Sequence, residues 1–223
     1  MIRAVVFDRD GTIIDYTEML YRFISDLYIH QGMTSPRPRE VFTPDFWRKI
    51  IQGMKVGNIK IREVLNQAPR LYMEHARIYP GVADTLKFLK DKRISLALVS
   101  GWVGTESTKK FLEKQGLINY FQVILTCDDL GIADNQIDIF SRYLSYKADL
   151  IKIALQNMKV TSPEAIVVGD SPEDIQAGKS IGCTTVAVMT AEARQRENEL
   201  LQENPDLVIQ ALSELMGDKL SFI

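Results

Sequence analysis

The segment Val5-Val6-Phe7-Asp8-Arg9-Asp10-Gly11-Thr12 runs three apolar residues straight into two carboxylates separated by one arginine. If the chain stays extended, Asp8 and Asp10 share a side, and two adjacent acids repel unless something uses them. Acids paired in this way suit a division of labour, in which one carboxylate attacks or binds a cation while its neighbour, held in the opposite protonation state, carries a proton. Comparable polar residues follow two other apolar runs. Ser100 and Gly101 come directly after Ser95-Leu96-Ala97-Leu98-Val99, and Gly169, Asp170 and Asp174 come after Ala165-Ile166-Val167-Val168. Lys147 stands between these two groups, ahead of the second run.

These residues need elements that bring them together. Residues 2–7 read as a buried strand, and from Tyr79 onward strands and helices alternate. Helices are expected at 83–92, 105–115, 148–158 and 173–180, and strands at 95–99, 122–126, 165–168 and 184–188. That rhythm argues for an α/β fold with a Rossmann-like parallel sheet covered by helices on both faces, a three-layer arrangement. Between the first strand and this series, apolar residues such as Met19, Phe23, Ile24 and Leu27 recur at helical spacing. Further short helices are expected at 44–51, 59–65 and 71–78, so residues 16–78 read as an all-helical block inserted after the first strand. The expected organisation is a catalytic core of residues 1–15 and 79–223 carrying a helical cap at 16–78. In open α/β sheets ligands bind beyond the carboxyl ends of the strands, which is where all of these acids fall.

The set resembles the haloacid-dehalogenase superfamily of phosphohydrolases, in which an apolar strand leads into DxDGT, a second strand ends in Ser or Thr, a Lys follows, and GDxxxD closes the series. Here the motifs stand as Asp8-Arg9-Asp10-Gly11-Thr12, Ser100, Lys147 and Gly169-Asp170-Ser171-Pro172-Glu173-Asp174, in that order and spanning essentially the whole chain. The layout, with a C1-type helical cap, looks most like phosphoglycolate phosphatases and related sugar-phosphate or nucleotide phosphatases. The resemblance implies Asp8 as nucleophile toward phosphorus, forming an aspartyl-phosphate, and Asp10 as the proton carrier. It implies Mg²⁺ held by Asp8, the Asp10 backbone carbonyl and Asp170, with Asp174 behind them or linked through water. Phosphate would be met by Ser100, Lys147 and the backbone N–H groups of Arg9, Asp10 and Gly101. The Arg9 side chain is expected to point to the opposite face. This sequence has Lys147-Ala148 where the family usually has Lys-Pro, so Arg142 and Lys152 compete for the lysine's role. Trp102 replaces a small or polar residue and would narrow the site mouth or pack on the insert.

Composition excludes other classes. With 27 basic and 29 acidic residues, the formal charge of -2 gives no global field for nucleic acid or an anionic membrane. No segment approaches the roughly 20 apolar residues of a membrane span. Cys127 and Cys183 lack metal or disulfide spacing and read as buried free thiols, and a cytoplasmic setting is the expectation. A small phosphorylated metabolite is the expected partner, and the sequence carries no code for oligomeric state. Phosphomutase chemistry stays open as an alternative, with a non-catalytic aspartyl-phosphate switch or binding protein behind it. A dehalogenase needs neither Asp10 nor Asp170.

Overall fold

The computed structural model describes residues 1–133, 136–190 and 193–217. The chain opens with β1 (Ala4–Asp8), turns through the short β2 (Ile14–Asp15) and enters helix α1 (Thr17–His30). There follow α2 (Pro38–Val41), α3 (Pro44–Ile51), the strand pair β3 (Lys55–Val56) and β4 (Ile59–Lys60), α4 (Ile61–Val64), α5 (Gln67–Leu71) and β5 (Arg77–Ile78). The alternating series is α6 (Val82–Asp91), β6 (Ser95–Val99), α7 (Thr105–Lys114), β7 (Val123–Leu125), α8 (Tyr143–Met158), β8 (Ala165–Gly169), α9 (Pro172–Ser180) and β9 (Thr184–Val188). The short α10 (Glu197–Gln202) and β10 (Leu207–Ile209) end it.

The six long-range strands form one parallel sheet in the order β10-β9-β8-β1-β6-β7. Every residue of β1 and β8 is buried, as strands covered on both faces must be. Helix α8 packs along both α9 and the β1–β6–β7 half of the sheet, and the right-handed rule for parallel crossovers assigns α6 and α7 to the opposite face. The chain winds outward from β1 in both directions, which makes the carboxyl end of β1, between β6 and β8, the switch point where a crevice forms.

Several boundaries differ from the sequence expectation. Residues 16–78 are not all helical: Gly57, at φ 57°, turns the β3–β4 hairpin, and 71–78 breaks into a single tight turn at Met73–His75 followed by β5. β5 pairs antiparallel with β2, Ile14 opposite Ile78, so the inserted segment leaves and rejoins the chain through one two-stranded stem. Helix α8 starts at Tyr143 rather than 148. β10 was not expected; its three residues at the sheet edge are mostly half-buried and present too short an apolar run to register as a strand. In the long connection between β7 and α8, residues 134 and 135 lie outside the described residues, as do 191, 192 and 218–223 of the expected core. Among the described residues no helix is long and apolar enough to cross a membrane.

The inserted segment is fastened over the carboxyl edge of the sheet. Trp102 is buried and donates its indole N–H to Asn66 Oδ1 at 3.0 Å, so of its two expected roles it packs on the insert. Ser107 Oγ donates to the Pro69 carbonyl at 2.7 Å, and Arg70 pairs with Asp128 at 2.5 Å. Arg62 also stacks on Phe140, 5.3 Å from the ring centre, which ties the long connection to the insert.

Helix α9 lies against the sheet at Gly178, where an added Cβ would meet Thr185 Cγ2 at 2.8 Å and Val167 Cβ at 3.0 Å. Both neighbours are β-branched and anchored in buried strands, so neither can give way easily. Gly178→Ala is therefore expected to lower the unfolding free energy by about 1–3 kcal/mol through overpacking, despite alanine's better helix propensity. Equal or higher stability in denaturant titration would contradict this close packing.

Candidate active site

The switch point gathers residues from five separate elements, β1, β6, α8, β8 and α9. Asp8 is the last residue of β1 and is buried. After it the chain leaves the strand: the backbone N–H groups of Ile13 and Ile14 both donate to the Arg9 carbonyl, at 3.2 and 2.8 Å, closing a tight turn. Gly11 sits in that turn at φ 89°, and a Cβ there would collide with the Asp170 carboxylate. Glycine is thus required twice over, by the left-handed backbone and by the close approach of an acid.

Asp170 follows β8 directly and accepts a hydrogen bond from Thr12 Oγ1 at 3.0 Å. Asp174 stands in the first turn of α9, where Ser171 caps the helix. The Ser171 hydroxyl donates to Asp174 Oδ2 at 2.8 Å and the Ser171 backbone N–H donates to the same oxygen at 3.1 Å. This reciprocal capping box fixes one carboxylate oxygen and leaves the other facing inward. Asp8, Asp170 and Asp174 are all buried, with a carboxylate oxygen of each within 4.8 Å of the others.

Lys147 supplies the cation. It is wholly buried, and its ammonium donates to Asp8 Oδ1, reaches Asp174 Oδ1 at 2.9 Å and donates to the Val99 carbonyl at 3.0 Å. Its competitors lie elsewhere: Arg142 stacks on Tyr146, and Lys152 pairs with Asp149 in the exposed face of α8. Because α8 begins earlier than expected, Lys147 lies on its second turn, one turn beyond Tyr143 and on the same face.

Ser100, just beyond β6, donates its hydroxyl to Asp10 Oδ2 at 2.8 Å and accepts the Trp102 N–H at 3.1 Å. Gly101 lies under the Tyr143 ring, whose atoms stand 2.8 Å from where a Cβ would be. The Arg9 side chain contradicts the sequence expectation. It does not point away from its neighbour; once the chain turns out of β1 the strand alternation no longer applies, and the buried guanidinium folds onto the Asp10 carboxylate, Nη2 to Oδ2 at 2.8 Å. Thr12, Ser171 and Tyr143 were missed as site residues. Thr12 and Ser171 lie inside the quoted motifs and could have been read as supports for the acids, whereas Tyr143 carries no motif signal.

The electrostatics of this cluster are unfavourable as it stands. Burial first, then Asp174, push the Asp8 carboxyl up to about 8, although Lys147 pulls it down. Burial, with Asp8 and Asp174, likewise holds Asp170 well above the usual carboxylate range. For Lys147, burial opposes the charge, but Asp174 and Asp8 outweigh it and hold its pKa above the usual value. Three buried carboxylates against one ammonium leave negative charge uncompensated, and oxygen donors this close suit a hard divalent cation.

The residue order and the structure agree with comparisons to known proteins. The family model described as haloacid dehalogenase-like hydrolase matches residues 5–188. A pyrophosphatase PpaX of Bacillus pumilus is 26% identical over 97% of this chain and 95% of its own. A phosphoglycolate phosphatase of Aquifex aeolicus is 28% identical over 96% of this chain and 95% of its own. The crystal structure of a HAD phosphatase from Thermococcus onnurineus superposes with a TM-score of 0.62 at 23% identity, covering 99% of this chain and 98% of the other.

A group whose folded pKa is raised favours folding below its unfolded value and loses that contribution as pH rises through the folded one. With Asp8 at about 8, the metal-free protein is expected to lose stability between about pH 4 and pH 8. A divalent cation competes with that proton, so the rise in Tm on adding Mg²⁺ should grow with pH over the same window. A Tm increment that is absent, or the same at each pH, would contradict the reading of the cluster as a cation site.

Proposed function

Because this chain belongs to the haloacid dehalogenase-like hydrolase family, we propose that it is a Mg²⁺-dependent phosphatase that hydrolyses a small phosphorylated metabolite through an aspartyl-phosphate on Asp8. The observation that carries this reading is the placement of Asp8 at the end of β1, held by Lys147 and flanked by Asp170 and Asp174. Asp8, Asp170 and the Asp10 backbone carbonyl would hold Mg²⁺, with Asp174 behind them. When bound, the ion offsets the repulsion between these carboxylates and a phosphate dianion.

In the first step an Asp8 oxygen forms a bond to phosphorus as the bond to the leaving-group oxygen breaks, and Asp10 gives that oxygen a proton. In the second, Asp10 takes a proton from water as its oxygen bonds to phosphorus and the Asp8–phosphorus bond breaks, which returns the enzyme and releases phosphate. Lys147, Ser100 and the backbone N–H groups of Arg9, Asp10 and Gly101 would bind the phosphoryl oxygens. Residues 16–78 would act as a cap on the core formed by 1–15 and 79–223, entering and leaving through the β2–β5 stem. Its contacts through Asn66, Pro69 and Arg70 support a position over the site, where it would act as a lid that excludes bulk water and selects substrate.

Two relatives are named for pyrophosphate and phosphoglycolate hydrolysis, which puts inorganic pyrophosphate and small phosphorylated acids first among substrates to assay, followed by sugar phosphates and nucleotides. A cytoplasmic reaction fits two buried cysteines that are both free. Asp8→Asn should fold as the wild type does by circular dichroism, yet lose at least about a thousand-fold in phosphate release with Mg²⁺. Wild-type turnover by that variant would overturn the role of Asp8. Formation of an isomeric phosphosugar in place of free phosphate would overturn hydrolysis in favour of phosphoryl transfer within the substrate.

A further inference from the structure

Arg9 stands between the two acids, and an arginine side chain ordinarily reaches solvent. Its side chain is instead completely buried. Nε donates to both oxygens of Asp10, at 3.0 and 2.9 Å, and Nη2 stands 2.8 Å from Oδ2. At the other end Nη1 donates to the Val103 carbonyl at 2.9 Å and to Thr108 Oγ1 at 2.8 Å. The guanidinium is therefore clamped between the Asp10 carboxylate and the start of α7.

We propose that Arg9 is a positioning residue for Asp10, setting the direction in which that carboxyl faces the leaving group and so the range of leaving groups the site can expel. The inference rests on the reading of Asp10 as proton carrier. An aspartate side chain turns about two bonds, and proton transfer requires one oxygen within hydrogen-bond reach of the atom that receives the proton. Ser100 alone meets one oxygen of Asp10 and cannot fix the plane of the carboxylate. The planar fork of an arginine touches both oxygens and can, provided that it is itself immobile. Thr108 and the Val103 carbonyl supply that immobility from a separate element. A lysine would offer a point charge and could not span Asp10 and Thr108 together.

A mere charge-neutralising role and a positioning role differ in what their loss does. Departure of dinitrophenolate needs no proton, whereas departure of an alkoxide does, so misdirecting Asp10 should penalise poor leaving groups selectively. The informative quantity is kcat/KM, which covers the steps up to leaving-group departure, measured with Mg²⁺ across dinitrophenyl, nitrophenyl, phenyl and simple alkyl phosphates. Arg9→Met is expected to lose about a hundred-fold on the alkyl ester and about ten-fold or less on the dinitrophenyl ester, as removal of aligned acid catalysis does. Thr108→Val, which removes one of the two contacts that hold the far end of the guanidinium and keeps its charge, should show the same steepening to a smaller degree. Thr108→Val also decides the matter if Arg9→Met fails to unfold cooperatively. Equal losses on all esters, so that the dependence on leaving group matches the wild type, would overturn the positioning role alone. A wild-type protein that releases phosphate from none of them would overturn the phosphatase reading and this inference with it.

Discussion

Crowding of the carboxylates of Asp8, Asp170 and Asp174 around the Lys147 ammonium is the constraint on which the rest of this molecule depends. Like charges buried this closely raise one another's proton affinity, and no single lysine balances three of them. The fold nonetheless holds them there with unusually little freedom. Neighbouring strands β1 and β8 deliver Asp8 and Asp170, a capping box pins Asp174, and α8 brings Lys147 across one face of the sheet to the Val99 carbonyl. An arrangement of this kind carries an electrostatic cost that a bound cation would relieve.

Asp10 is kept apart from that cluster by backbone geometry. The turn at Gly11 carries the chain out of β1, so the second acid of the pair faces Ser100 and Arg9 instead of Lys147. On the account developed above, this is how two aspartates with one residue between them come to do different work: one lies in the charge cluster and the other lies against a fixed guanidinium. The segment 102–108 that anchors Arg9 also carries the contacts to the inserted helices, through Trp102 and Ser107. Asp10, through Arg9, and the inserted segment thus share one stretch of supporting backbone.

The sequence made the central layout legible because each acid follows an apolar run, and a parallel sheet leaves only one edge where such residues can meet. Lys147 could be placed only by order; its position on α8 directs it inward to Asp8, whereas Arg142 stacks on Tyr146 and Lys152 pairs with Asp149. Less was legible where local pattern competes with tertiary contact. The β3–β4 hairpin and β5 are two-residue strands below the length at which periodicity speaks, and β10 at three is barely longer. Arg9 was misplaced because strand alternation was carried one residue too far, past the point where the Arg9 carbonyl begins the turn. Tyr143 was invisible because its place over Gly101 depends on where α8 starts.

Covalent attachment of phosphate to Asp8 is the step on which the proposed reaction turns. Its most direct test is acid quenching of Asp10→Asn during reaction with dinitrophenyl phosphate and Mg²⁺, followed by mass spectrometry of the peptide that contains residues 5–12. Departure of that leaving group needs no proton, whereas release of the intermediate needs the missing base, so the phosphorylated form should accumulate. On this account the peptide carries one phosphoryl group at Asp8. Dinitrophenolate release that continues over many turnovers with the Asp8 peptide unmodified throughout, or a phosphoryl group found on another residue, would contradict it.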